Sequence, residues 1–304
     1  MSNKGRILVI RGGAIGDFIL TLPVLSALRR QFPAADLELL AYPKVAQLAL
    51  ADGLATGVRS IEAQSLAGFF ARNGDLSAEL SEYFSRFQIV ISYLYDPDGV
   101  FQENVKRCFN GQFIQGPHRP DERETVHATE VFLKPLERLA IFDADPVPRL
   151  PNLRQDKTSP NRIAFHPGSG SETKNWPESK WKQLLARLAV ESRFEFLMIG
   201  GEADEPRVRH LQNALPPERL KLAINLPLHE LAQQLAQCSF FLGHDSGITH
   251  LAAALEMRGL VLWGPSNETI WRPRHENMKI LRSPGGLEHL EVNAVLESFY
   301  NWIR

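Results

Sequence analysis

Cysteine is almost missing from these 304 residues: Cys108 and Cys238 are the only two, and they lie far apart. That excludes a disulfide framework and a thiolate zinc site, and reduced, buried thiols fit a reducing cytosol. An excess of charge is missing too. Lys and Arg number 34 against 35 Asp and Glu, a formal net charge of -1. No global field draws the chain to nucleic acid or a bilayer, so any attraction to an acidic partner must be local. No apolar run is long enough to span a membrane. The run after Lys4 is stopped by Arg11 and two glycines, well short of a signal peptide, and reads as a first strand. Expected localisation is therefore cytoplasmic, with peripheral membrane contact at most and no nucleic-acid partner. Several motifs are also absent. There is no G-x-x-x-x-G-K-[ST] loop, no G-x-S-x-G elbow, and no His/Cys/carboxylate cluster at metal-ligand spacing.

What is present is ordinary globular material, 44% apolar and 23% charged, in a chain long enough for two cores. Short β-branched runs alternate with helical periodicity. Strands are expected over 6–10, 36–41 and 88–93, with helices over 22–31 and 44–51. Pro23 is tolerated only in a first turn, so the first long helix starts near Thr21 or kinks there. From Asp143 to Arg162 the pattern stops in a proline-rich stretch that reads as an extended linker. The alternation then restarts, with strands over 162–165, 195–199, 240–242 and 259–263. Helices are expected over 178–191, 228–237, 249–256 and, closing the chain, 287–304. Such alternation implies parallel sheets with helices on both faces, an α/β architecture used twice.

Three glycine-rich turns follow strands, at the carboxyl edge where open α/β sheets bind ligands. The first is Arg11-Gly12-Gly13-Ala14-Ile15-Gly16-Asp17. Its spacing is not G-x-G-x-x-G, which argues against an NAD-dependent dehydrogenase. Asp17 either caps a helix or offers a carboxylate to a substrate as general base. The second runs from His166 to Pro177 and holds Ser169, Gly170 and Lys174 among small hydroxyl residues. It is either a plain surface loop or a backbone cradle for phosphate with a lysine beside it. The third is Gly243-His244-Asp245-Ser246-Gly247-Ile248-Thr249-His250, a strand running into a helix start. The N–H groups of Ser246, Gly247, Ile248 and Thr249 would point out of the helix toward an anion such as a diphosphate. Asp245 either caps that helix or accepts sugar hydroxyls; His250 is either a ligand or a buried helix residue. Between Lys106 and Arg123, Arg107 and Arg119 form either a solvated loop or a local patch for acidic groups.

At these residues the chain resembles a known family. ILVIRGGAIGDFILTLPVLSALRRQFP, HPGSGSETKNWPESKW and FLGHDSGITHLAAALEMRGLVLWGPSN resemble, in order and spacing, the signatures of the ADP-heptose:lipopolysaccharide heptosyltransferases, glycosyltransferase family 9. The resemblance implies a GT-B fold, two Rossmann-like parallel-sheet domains facing across a cleft. Residues 1–150 would bind acceptor and 161–286 the sugar nucleotide, with 287–304 packing back on the first domain. It implies an inverting, metal-independent transfer of heptose from ADP-heptose to the inner core of lipopolysaccharide, with no cofactor beyond the donor. The partners would be a sugar nucleotide and a lipid-linked glycan at the cytoplasmic face of the inner membrane. Asp17 would be the base. Lys174, Ser169, Gly170, Ser246, Gly247 and Ile248 would hold the diphosphate, and Asp245, His250, Glu205 and Leu226 the sugar and nucleoside. Gly13, Arg107 and Arg119 would serve the acceptor. The alternatives are a relative using another sugar nucleotide for a different surface glycan, and a non-catalytic nucleotide-binding protein.

Overall fold

The structure, a computed structural model, describes residues 4–154 and 159–303. The chain divides into two compact units, residues 1–146 and 147–304.

The first unit runs β1 (Arg6–Arg11), α1 (Ile15–Ile19), α2 (Leu22–Gln31), β2 (Asp36–Ala41), α3 (Pro43–Ala51), β3 (Gly57–Ser60), α4 (Ala78–Ser85), β4 (Ile89–Ser92), α5 (Val100–Lys106), β5 (Gln112–Gln115) and α6 (Ala128–Leu133). Its five strands lie in the order β3-β2-β1-β4-β5, all parallel. The β1 residues Leu8, Val9 and Ile10 are fully buried, as a strand covered on both faces requires. Pro23 sits in the first turn of α2, whose missing intrahelical N–H partners make proline harmless there. The five-residue α1 ends just before it, and Thr21 Oγ1 donates to Asp17 O across the break (2.8 Å). Arg29 and Arg30 lie in the last turn of α2, where the helix dipole favours cations.

The second unit runs β6 (Ser159–His166), α7 (Glu178–Glu191), β7 (Glu195–Gly200), α8 (Glu205–Leu211), β8 (Leu220–Ile224), α9 (Leu228–Leu235), β9 (Cys238–His244), α10 (Gly247–Ala254), β10 (Arg258–Leu262), α11 (Glu268–Trp271), β11 (Met278–Leu281) and α12 (Val292–Ile303). Six parallel strands lie in the order β11-β10-β9-β6-β7-β8. Each sheet has one place where the chain, having run outward, returns to the other side of its first strand. That place lies between β1 and β4 in the first unit and between β6 and β9 in the second.

One expectation needs correction. The proline-rich stretch is not an extended linker along the part that is described; residues 155–158 lie outside it. Leu150 is buried and its N–H donates to Ala254 O (2.9 Å), while His275 Nε2 lies 2.8 Å from Pro148 O. Arg149 and Arg154 both pair with Glu256. Apolar and charged side chains spaced between the prolines dock this segment on the second unit, whose strand β6 already begins at Ser159. The closing helix belongs to the second unit. Val292, Val295, Leu296 and Phe299 form its apolar stripe, and they join the core around Trp181, Leu185 and Phe240. The last residue, 304, lies outside the described structure.

Candidate functional site

Asp17 lies in α1, the short helix that follows β1, at the crossover point of the first sheet. Its Oδ2 accepts the Ala14 N–H (3.0 Å), so the carboxylate folds back on the start of its own short helix. Gly13 makes this possible: with φ +101, it places an imagined Cβ 2.8 Å from Asp17 Oδ2. The other oxygen, Oδ1, lies 3.8 Å from Arg11 Nη2. Arg11 is buried, with its guanidinium 4.4 Å over the Phe132 ring. It also donates to His118 O (2.8 Å) and Asp17 O (3.2 Å). Burial lowers its pKa against the opposing pull of Asp17. One guanidinium therefore ties the Asp17 turn to the segment after β5. The Asp17 side chain keeps 28% of its surface exposed.

Arg107 and Arg119 do not share a patch. Arg107 ends α5 just before β5 begins, at the amino edge of the sheet. There it donates to Gly74 O (2.8 Å) and Asn104 Oδ1 (3.1 Å). Arg119 follows β5 at the carboxyl edge, the edge of Asp17, and pairs with Glu122 (3.1 Å). Strand β5 runs from one edge to the other between them, so nearness in sequence did not become nearness in space.

In the second unit the carboxyl edge gathers most of the expected donor residues. Ser169, Gly170 and Lys174 follow β6, and Asp245 to Ile248 follow β9, the adjacent strand across the crossover. Lys174 Nζ lies 2.8 Å from Asp245 Oδ2; the aspartate is buried and the lysine one-third exposed. Asp245 is not the helix cap. Ser246 is: its Oγ accepts the Thr249 N–H (3.3 Å), and α10 starts at Gly247, two residues earlier than the apolar period suggests. The N–H groups of Gly247 and Ile248 thus open a helix whose geometry gives them no internal partner. Ser169 Oγ donates within its own loop, toward Ser171 O (2.8 Å) and Asn175 Oδ1 (2.7 Å). Gly170 adopts φ +75 with open space around it, a turn that a side chain would strain. Glu205, after β7, accepts from Asn225 Nδ2 (3.1 Å), which brings it beside Leu226 after β8. His250 is buried in the second turn of α10.

Sequence reasoning missed the groups behind this edge. His244 Nε2 accepts two N–H bonds, from the Trp176 backbone (2.9 Å) and the Trp181 indole (3.2 Å). Its Nδ1, 3.3 Å from Gly168 O, is therefore the protonated nitrogen. Burial, and then the nearby His166, push its pKa down to about 3. His166 lies between Asp204 and Ser246: Nε2 is 3.4 Å from Asp204 Oδ2 and Nδ1 is 3.2 Å from Ser246 Oγ. Burial raises the Asp204 carboxyl, but bonds from His166 and the Gly201 N–H, with the charge of Arg207, outweigh it and hold the group low. Histidines ending two strands that prove adjacent were the available signal, but strand order is not written locally. Among the described residues no three His, Cys, Asp or Glu side chains group as a metal site, and no helix is long and apolar enough to cross a membrane.

The profile of glycosyltransferase family 9 (heptosyltransferase) matches residues 144–295, half of the chain. The chain belongs to that family. Lipopolysaccharide heptosyltransferase 1 of Escherichia coli O18:K1:H7 is 29% identical over 125 residues, 41% of this chain and 38% of that protein. The enzyme of the same name from Pseudomonas aeruginosa is 32% identical over 132 residues, 43% of this chain and 33% of that one. The match spans about two-fifths or less of the length of these curated relatives. Among solved structures, a family 9 glycosyl transferase from Veillonella parvula superposes with a TM-score of 0.79 at 18% identity, covering 100% of this chain and 98% of that one. The E. coli heptosyltransferase WaaC with ADP gives 0.75 at 19% identity, covering 98% and 99%. At such identities these likenesses show the fold: the two all-parallel α/β units of family 9 are those of GT-B.

Proposed function

We propose that this chain is an inverting, metal-independent heptosyltransferase that moves a heptose from ADP-heptose to the inner core of lipopolysaccharide. The carrying observation is the Lys174–Asp245 pair beside the N-terminus of α10, at the crossover of the second sheet. An ammonium has three hydrogens, so Lys174 can keep Asp245 and still donate to a phosphate oxygen. The pair also answers why a carboxylate sits beside a diphosphate. Its charge is balanced by Lys174, and Asp245 Oδ1 is left to accept a sugar hydroxyl. The names of the curated relatives and the ADP in the WaaC structure support the donor assignment.

The reaction is a single displacement. A sugar hydroxyl is far less acidic than a carboxylic acid, so Asp17 takes the proton as the new glycosidic bond forms, not before. The bond from the anomeric carbon to the β-phosphate oxygen breaks, and ADP leaves with the electron pair. Lys174 and the Gly247 and Ile248 N–H groups stabilise the charge that develops there, the part a divalent cation plays in other transferases. Glu205 and Leu226 hold the nucleoside, with His250 and Ser169–Gly170 beside the donor. Gly13 and Arg119, on the Asp17 edge, serve the acceptor; Arg107, on the opposite edge, does not. The acceptor is a lipid-linked glycan, met by peripheral contact with the cytoplasmic face of the inner membrane.

Asp17→Asn keeps the size of the side chain and removes the base. Transfer should fall by at least about 100-fold while the Kd for ADP-heptose stays near the wild-type value. Wild-type turnover in the purified variant would sink the role of Asp17. A thermal-shift panel of ADP-, UDP- and GDP-sugars tests the donor. A ligand at a hundred times its Kd stabilises by about 2.7 kcal/mol. Stabilisation by a UDP- or GDP-sugar but not by ADP-heptose would displace the heptose reading. Binding of ADP-heptose without hydrolysis or transfer would point to a nucleotide-binding protein instead.

A further inference from the structure

Ser246 caps α10 beside its open N–H groups, and its hydroxyl has two side-chain neighbours that can take its hydrogen, His166 Nδ1 and, at 3.4 Å, Thr249 Oγ1. The oxygen already accepts the Thr249 N–H, and Thr249 Oγ1 itself donates to His244 O. The buried His166 approaches from behind, Nδ1 to Ser246 Oγ at 3.2 Å, with Asp204 Oδ2 at its Nε2. An ionised Asp204 requires the hydrogen on Nε2. Neutral His166 then has a bare Nδ1 that accepts the Ser246 hydrogen and turns it away from the helix mouth. With a second proton, Nδ1 becomes a donor to Ser246 Oγ, and the serine hydrogen is released for another acceptor.

We propose that Asp204 and His166 form a proton-linked positioning pair for Ser246, so that its hydroxyl donates to the donor diphosphate only when His166 takes up a proton. The inference rests on the reading of this edge as the donor site. The proton comes from solvent to His166 Nδ1; no covalent bond to carbon or phosphorus changes. Asp204 provides the counter-charge that makes a buried imidazolium tolerable, since a charge out of water needs a bonded partner. Three features serve this arrangement. Gly168 has no side chain where a Cβ would stand 1.9 Å from Asp204 Oδ1. The Gly201 N–H also bonds Asp204. His244 is held neutral by two incoming N–H bonds, so it does not compete for the charge. The surrounding ionisable groups are, on α8 and its cap, Asp204 and Arg207, the latter paired with Glu172 (2.6 Å). On β9 and beyond it are His244 and the Asp245–Lys174 pair, and on α10 His250. Donor binding adds two negative charges to this set, which favours the imidazolium.

The test is calorimetric titration of the full chain with ADP-heptose in buffers of different ionisation enthalpy. The diphosphate of this donor is esterified at both ends and exchanges no proton near neutrality. The wild-type chain should take up as much as about one proton per donor bound. Its affinity should weaken as the pH rises, by up to about tenfold per pH unit, the slope of one linked proton. Ser246→Ala and His166→Asn should lose both the uptake and the slope; Ser246→Thr, which restores the hydroxyl, should regain them. A purely structural His166 would lower affinity equally at every pH. Donor binding by the wild-type chain without proton uptake overturns this inference and leaves the donor reading intact. No binding of ADP-heptose overturns both. The decisive measurement uses the wild-type chain, so a variant that fails to fold leaves it unaffected.

Discussion

A Cβ on Gly168 would overlap Asp204 Oδ1, whereas one on Gly170 would meet nothing within 4 Å. In sequence the two glycines belong to one phosphate-friendly loop and look equivalent. In the structure Gly168 makes room for a carboxylate brought in from the end of β7, and Gly170 supplies a left-handed turn. Their alanine variants should therefore differ in kind. Gly168→Ala must push Asp204 off His166 and should cost about 1–3 kcal/mol by overpacking a bonded group. Gly170→Ala carries only the backbone penalty of positive φ, about 1–2 kcal/mol. Urea denaturation reads both, and a donor-binding pH profile separates them: only Gly168→Ala should flatten it. An unchanged profile in Gly168→Ala would argue that Asp204 has no hold on the site. Asp17 likewise shows its cap: one carboxylate oxygen accepts the Ala14 N–H, and the other lies 3.8 Å from Arg11 Nη2.

At the scale of elements, five of the six helices expected from the apolar period match α2, α3, α7, α9 and α10 to within two residues; α1, α4, α5, α6, α8 and α11 carried no expectation, and the period misplaces a start where a side chain decides it. The apolar pattern of α10 begins at Thr249, but Ser246 caps the helix and draws Gly247 and Ile248 into its first turn. The strands β3, β5, β8 and β11 escaped the reading because GVRS, QFIQ, LKLAI and MKIL mix polar and apolar residues over only four or five positions, whereas the equally short β4 reads IVIS. The closing helix shows what a stripe leaves undecided. Val292, Val295, Leu296 and Phe299 at i, i+3, i+4 and i+7 require burial but do not name the surface that buries them. The answer is the second unit, where the Phe299 ring lies 5.1 Å from Phe240 and 6.0 Å from Phe194. Phe299→Ala should cost about 3–5 kcal/mol, the usual loss for an emptied aromatic site in a core. Chemical denaturation followed by tryptophan fluorescence checks this, since Trp176 and Trp181 lie in the same core. A loss below about 1 kcal/mol would mean that the helix is not part of that core.

Across the whole molecule, two sheets built on one plan carry different chemistry at the same topological place. The turn after β1 holds a carboxylate beside a buried arginine; the turns after β6 and β9 hold a lysine, a cap serine and open N–H groups. Hydrogen exchange with ADP-heptose bound should show protection concentrated in residues 166–176 and 243–250 of the second unit. Protection confined to the first unit would reverse the assignment of donor and acceptor edges.

By itself the sequence determined the fold class, the parallel sheets and the three glycine-rich turns at their carboxyl edges. Those follow from short-range causes: apolar period, glycine and proline backbone preferences, and the crossover that parallel strands require. Only the tertiary structure decided which side chains meet. Lys174 and Asp245 are 71 residues apart, and His166 and Ser246 are 80 apart. They meet because β9 returns to lie against β6. Arg107 and Arg119, near in sequence, part because strand β5 carries the chain across the sheet between them. Strand order depends on how whole faces are buried, and no local pattern of residues contains it.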